Sequence, residues 1–162
     1  FNIRNDRPII GQFGVNREGS GDMYTKGALL LNTIRHIIND DTKWWKLLYN
    51  YSETYKKQII DTKTVIDYFN TESGIDLTSV FEQYLTTTKI PKLVLSKTGN
   101  KLSYEWQNVN SNFKMPVDIV VNDKTIRLHP TSTKQETKID KKIELEKIQV
   151  QSNKFFIKVE KK

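Results

Sequence analysis

The sequence predicts an α+β chain in which an antiparallel four-helix segment is followed by an all-β sandwich. Three observations carry this. Apolar residues recur at helical spacing from Met23 to about Leu85. Pro91 then blocks helix continuation, and runs alternating with period two take over to the C-terminus. Capping residues and turn signals punctuate both halves at short intervals.

Residues 1–21 hold Pro8, Gly11, Gly14, Gly19 and Gly21 among polar neighbours, which is loop chemistry. The first helix is expected from Met23 to about Asn39, with Asp22 as N-cap and Leu30, Leu31, Ile34, Ile37 and Ile38 along one face. Ala28 and Leu29 extend that face nearly all round, so the helix is expected to be largely buried. A second helix starts at Asp40-Asp41, where carboxylates suit the positive end of the helix dipole, and aligns Trp44, Leu47, Leu48, Tyr51 and Tyr55. The third runs from a Thr62 cap through Val65, Ile66 and Phe69 to a stop at Gly74. The fourth starts at Asp76 and carries Leu77, Val80, Phe81, Tyr84 and Leu85. Short connections make antiparallel packing the default.

Strands are expected at 93–95, 102–106, 117–121, 125–128, 143–150 and 155–159. Thr98-Gly99-Asn100, Asn122-Asp123 and Ser152-Asn153 mark turns between them, and Asn122-Asp123 suits a two-residue hairpin. Short strands at this spacing read as a sandwich. The divisions are an irregular segment 1–21, a helical part 22–88 and a β part 89–162.

Composition narrows the functional classes. With 36% hydrophobic and 10% aromatic residues the chain can build a core. It has no cysteine, which excludes disulfides, thiolate nucleophiles and cysteine-ligated zinc. No signal peptide is visible, and any export signal of a longer parent would lie upstream. No apolar run reaches the roughly 20 residues of a membrane span, so no transmembrane segment is expected. Residues 1–88 carry 10 Lys and Arg against 11 Asp and Glu, while the remainder carries 16 against 8. The lysines of the basic half alternate with apolar residues, as in Lys154-Phe155-Phe156-Ile157-Lys158-Val159. That pattern reads as solvated strand faces protected against edge pairing, and nucleic-acid binding is not expected. A lysine- and asparagine-rich chain without cysteine is compatible with a bacterial envelope protein.

The stretch Asp22-Met23-Tyr24-Thr25-Lys26-Gly27-Ala28, running into Leu29-Leu30-Leu31, resembles the segment of M1-family (gluzincin) zinc aminopeptidases that carries their catalytic tyrosine. Further matches follow in the family's order: Ile34-Arg35 and Asp40-Asp41, an aromatic-rich helix with Trp45, Leu48 and Tyr51, then Ser73-Gly74-Ile75-Asp76-Leu77. Phe81-Glu82-Gln83-Tyr84-Leu85 before Ile90-Pro91 completes the series, with Tyr84 where tryptophan is usual. Thr64 stands where the family often has an acid. The resemblance covers roughly residues 20–95; the β part is similar to the family only in position and architecture.

The resemblance implies that the helices are the C-terminal end of a thermolysin-like catalytic domain. It implies a parent enzyme that removes N-terminal residues from peptides by zinc-activated water. Tyr24 is then the catalytic residue that stabilises the oxyanion of the tetrahedral intermediate, a donor whose loss costs on the order of 10²–10³ in rate. Asp22 would cap the helix beneath it, and Gly27 and Ala28 would admit another backbone closely. The family's zinc-binding His-Glu-x-x-His with its downstream glutamate, and its amine-binding Gly-x-Met-Glu-Asn, do not occur in this sequence. His36 and His129 lie in different halves without ligand-spaced partners; His36 reads as a surface or boundary residue. Zinc is therefore expected in the parent with its ligands outside this chain, and none in this segment, which alone is expected to be inactive. The implied partners are the peptide substrate and the upstream catalytic domain. Lys26 reads as structural or exposed, Asp40/Asp41 as a helix start, and Glu144/Glu146 as a strand face. The alternative is a non-catalytic binding module, in which helices support a basic sandwich that docks a protein or polysaccharide.

Overall fold

The computed structural model describes residues 3–12, 14–15 and 20–162. Gly19, expected in the N-terminal loop, lies outside the described residues, as do Phe1, Asn2, Phe13 and residues 16–18. The described residues form four helices, α1 (Met23–Ile38), α2 (Asp41–Tyr55), α3 (Thr62–Ser73) and α4 (Thr78–Thr86), followed by seven strands. The strands are β1 (Lys92–Thr98), β2 (Lys101–Gln107), β3 (Val117–Val121), β4 (Lys124–Leu128), β5 (Gln135–Lys138), β6 (Gln149–Val150) and β7 (Lys158–Lys161). The class is α+β. No described helix is long and apolar enough to cross a membrane.

Helix ends follow local chemistry. The Asp40 carboxylate accepts the Lys43 N–H at 3.0 Å and caps α2. α3 is capped by Asp61, which accepts the Thr64 N–H at 2.7 Å; Thr62, expected as the cap, is the first helical residue. A carboxylate immediately upstream displaces a hydroxyl one residue too late. Gly74 ends α3 at φ 68°, and Asn39 ends α1 at φ 54°, each left-handed. α4 begins two residues later than expected, because Asp76 turns its carboxylate onto the Thr78 N–H at 3.1 Å.

The helices touch in the order α4, α1, α2, α3, with α3 returning to α4. Trp44, Phe69 and Phe81 line the seam, Phe69 meeting Phe81 edge-on at 5.6 Å. The expectation that α1 is buried nearly all round does not hold. Leu30, Ile34 and Ile37 are buried, but Ala28 and Leu31 are exposed. The apolar pattern is broader than the face the neighbouring elements cover.

The strands form a four-stranded sheet in the order β5-β2-β1-β7 and a three-stranded sheet in the order β4-β3-β6. β1 and β2 pair across a turn with Gly99 at φ 59°; β3 and β4 pair across Asn122 and Asp123, both left-handed as a tight hairpin requires. β7 joins β1 in parallel. Two expected strands are largely replaced. In 143–150 the apolar positions 145 and 148 are three apart, which breaks the alternation. A 3₁₀ turn at Leu145–Lys147 lets Ile143 and Ile148 reach one core, leaving Gln149–Val150 to pair. In 155–159 pairing starts only at Lys158. The Phe156 N–H goes instead to the Thr33 hydroxyl at 3.0 Å, and Phe155 is buried. β5, reading Gln-Glu-Thr-Lys, was not expected: a polar edge strand has no apolar period to announce it.

Helices and sheets share one core, in which Ile34, Tyr84, Leu93, Leu95, Leu102, Trp106, Ile119 and Ile148 are all buried. Tyr84 donates its hydroxyl to the Phe156 carbonyl at 2.7 Å, and the Trp106 indole N–H donates to the Met115 carbonyl at 3.0 Å. Burial pushes the Tyr84 phenol well above its ordinary pKa.

Asp118 and Arg127 stand opposite each other on β3 and β4. The guanidinium takes both carboxylate oxygens, at 2.8 and 3.2 Å, and also donates to the last carbonyls of α1, His36 at 2.7 Å and Ile37 at 3.0 Å. Burial alone would raise the Asp118 pKa, but the hydrogen bonds and charge of Arg127, with Lys154 nearby, hold it below the ordinary aspartate value. A lowered folded value means the pair stabilises fully above the unfolded carboxylate pKa and loses that contribution as pH falls through the folded value. Arg127→Ala should cost about 3 kcal/mol at pH 7, because it leaves a buried carboxylate with only the longer Lys154 contact at 3.6 Å. In urea unfolding, Asp118→Asn should show a smaller fall in midpoint between pH 7 and pH 3 than the wild type.

Candidate active site

Ser20, Gly21 and Asp22 turn the chain into α1. The Met23 N–H reaches the Ser20 carbonyl at 3.1 Å, and the Lys26 N–H starts the helical ladder on the Asp22 carbonyl at 2.8 Å. Asp22 does not cap the helix with its side chain. Its carboxylate accepts the backbone N–H groups of Arg4 at 3.1 Å and Asn5 at 2.6 Å, so it holds the N-terminal loop instead. The Asn5 N–H is the main cause that lowers the Asp22 pKa below its ordinary value.

Lys26 is buried, at 2% exposure. Its ammonium donates to the Asn5 side-chain oxygen at 2.9 Å and to the Thr87 carbonyl at 2.8 Å. Burial lowers its pKa, and the Asp22 charge acts in the opposite sense. Asn5 completes the junction by donating from its side-chain amide to the Thr88 carbonyl at 2.5 Å. Four residues upstream of Leu30 and aligned with Ile34 and Ile37, Lys26 lies on the inward face of α1 by helical period alone. That spacing was the available signal for its burial; nothing local marked Asn5.

Tyr24 points the other way and is 81% exposed. A shallow apolar groove of about 200 Å³ runs beside it over Thr25, Ala28 and Leu29. Thr25 also lines a polar cavity of about 360 Å³ with Arg4, Asp6, Arg7, Ser20, Gly21 and Asp22. Gly27 has nothing within 4 Å of where a Cβ would sit, so the close backbone approach expected there is not made among the described residues.

The remaining candidates are dispersed. His36 is half-buried at the end of α1, its ring 6.2 Å from that of Phe155, and burial lowers its pKa. His129 is exposed after β4. Among the described residues, no three His, Asp or Glu side chains converge as a metal-binding group. Asp41 forms a two-point pair with Arg35 at 2.8 Å. Glu144 and Glu146 do not line a strand; Glu144 precedes the 3₁₀ turn and Glu146 lies within it, both exposed, paired with Lys147 and Lys161 respectively.

No family model and no curated protein matches this chain. A solved structure does: the crystal structure of Legionella pneumophila aminopeptidase A in complex with aspartic acid, at TM-score 0.68 and 15% identity. The likeness covers 87% of this chain and 18% of that one. The chain thus spans about a fifth of the length of that aminopeptidase, and the likeness is one of fold.

Because Asp22 anchors the loop and not the helix, Asp22→Ala should speed hydrogen exchange at the Arg4 and Asn5 amides while leaving exchange in the middle of α1 unchanged. Loss of protection in the middle of α1 would contradict this assignment.

Proposed function

We propose that this chain is the C-terminal portion of an M1-like zinc metallopeptidase that removes N-terminal residues from peptides, with Tyr24 as its oxyanion donor. The observation that carries the reading is the pairing of an outward phenol with a locked base. Tyr24 stands in the first turn of α1 almost fully exposed, while the turn beneath it is tied to two other segments. The ordered series of motifs from Tyr24 to Pro91 and the fold shared with part of an aminopeptidase support it.

In this reading residues 22–88 end a catalytic domain and residues 89–162 form a sandwich behind it. The described residues supply no ligand set for zinc, which would be held outside this chain. When a nucleophile adds to the scissile carbonyl, the carbon becomes tetrahedral and its oxygen becomes anionic. The Tyr24 O–H donates one hydrogen bond to that oxygen. The bond strengthens as charge develops, so it stabilises the transition state more than the bound peptide. The open apolar groove along Ala28 and Leu29 leaves room for the groups that would complete the site.

A non-catalytic module is the second reading. It is favoured by two aromatic side chains on the outer face of α2, Trp45 at 58% and Tyr49 at 67% exposure, which could stack on a protein or polysaccharide.

In the full-length protein, Tyr24→Phe should lower kcat by about 10²–10³ with zinc content unchanged. Unchanged turnover would remove Tyr24 from the chemistry, and a full-length protein with no peptidase activity would favour the binding module.

A further inference from the structure

Residues 22 and 26 lie two positions either side of Tyr24. At about 100° per residue, each points about 160° away from the Tyr24 side chain. The burial agrees: Asp22 is 7%, Tyr24 81% and Lys26 2% exposed. The exposed phenol is therefore mounted on two ionic side chains driven into the interior.

Those two side chains meet at Asn5. Asn5 sits at φ 49°, a left-handed conformation that asparagine tolerates better than most residues. Its N–H goes to Asp22, its side-chain oxygen accepts from Lys26, and its side-chain amide donates to Thr88. The second acceptor of Lys26, the Thr87 carbonyl, lies at the C-terminal end of α4, where the helix dipole favours a cation. Three segments, 4–5, 22–26 and 87–88, are thus joined at one ammonium and one amide. A buried ammonium needs hydrogen-bond acceptors and a nearby opposite charge; Asn5 and Thr87 accept two of its N–H groups, and Asp22 supplies the charge. The lysine does not touch the surface on which Tyr24 stands.

We propose that Lys26, acting through Asn5 and Thr87, is a positioning residue for Tyr24. This rests on the reading of Tyr24 as an oxyanion donor. The clasp sets the height and direction of the first turn of α1 relative to the N-terminal loop and the end of α4, so the phenol needs no reorganisation when charge develops on the substrate. A misplacement of about 1 Å at such a group costs on the order of 10²-fold.

The test is a double-mutant cycle in the full-length protein, read by steady-state hydrolysis of a panel of aminoacyl 4-nitroanilides. Lys26→Met should lower kcat by about 10–100-fold with KM changed little. In a Tyr24→Phe background the same substitution should cost almost nothing further, because the group it positions is gone. Asn5→Gly keeps the left-handed backbone, removes both side-chain contacts and should show the same dependence on Tyr24; it carries the cycle if Lys26→Met does not fold. Wild-type kcat in the folded single variants, or an equal loss with and without the Tyr24 hydroxyl, would overturn the positioning role while leaving Tyr24 catalytic. If Tyr24→Phe itself retains full turnover, the reading of the site fails, and the positioning role fails with it.

Discussion

The fold depends on how a charged pair is accommodated between the helices and the sheets. Asp118 lies in the middle strand of the three-stranded sheet with its side chain almost fully buried, and a lone carboxylate there would be intolerable. Arg127, directly across on β4, satisfies it with two hydrogen bonds. The same guanidinium spends its other donors on carbonyls at the end of α1, groups that have no partner within their own helix. One side chain therefore neutralises a buried charge, closes a helix terminus and fixes the β3–β4 hairpin against the helical part.

Around that junction the helices and sheets behave as one body. Tyr84 of α4 donates into the segment leading to β7, and Thr33 of α1 receives the Phe156 N–H from the same segment. Gln83 accepts the Asn110 N–H at 2.8 Å and donates to the Lys89 carbonyl at 2.8 Å, tying α4 to the chain entering and leaving β1–β2. These contacts bring the end of α4 to a fixed place. That place is where the Lys26 ammonium finds the Thr87 carbonyl. The anchoring of the Tyr24 turn thus depends on packing far from it, while the tyrosine stays at the surface.

Much of this was legible in the order of residues. Helices α1 to α4 announced themselves by apolar spacing, and the end of α3 by the tolerance of Gly74 for left-handed backbone. Asn122-Asp123 marked its hairpin because few residue pairs accept two successive positive φ values. Tyr24 stood out through the residues around it. What was not legible shares a cause. Asp22 read as a cap because a carboxylate before a helix usually is one, yet two backbone N–H groups from residues 4 and 5 compete for it and win. The segments 143–150 and 155–159 read as strands from their period-two runs, yet Ile148 reaches the core through a 3₁₀ turn and Phe155 is buried before pairing begins at Lys158.

By itself, then, the sequence determined the α+β class, the helices, the two principal hairpins and the position of the candidate tyrosine, since these depend on preferences that act within a few residues. Only the tertiary structure decided which face of α1 stays open, which carboxylate caps and which anchors, and which acceptors the Lys26 ammonium finds. Those outcomes are set by partners distant in sequence, as Asn5 and Thr87 are from Lys26. A hydrogen bond between distant residues exists only once the chain has folded to bring them together.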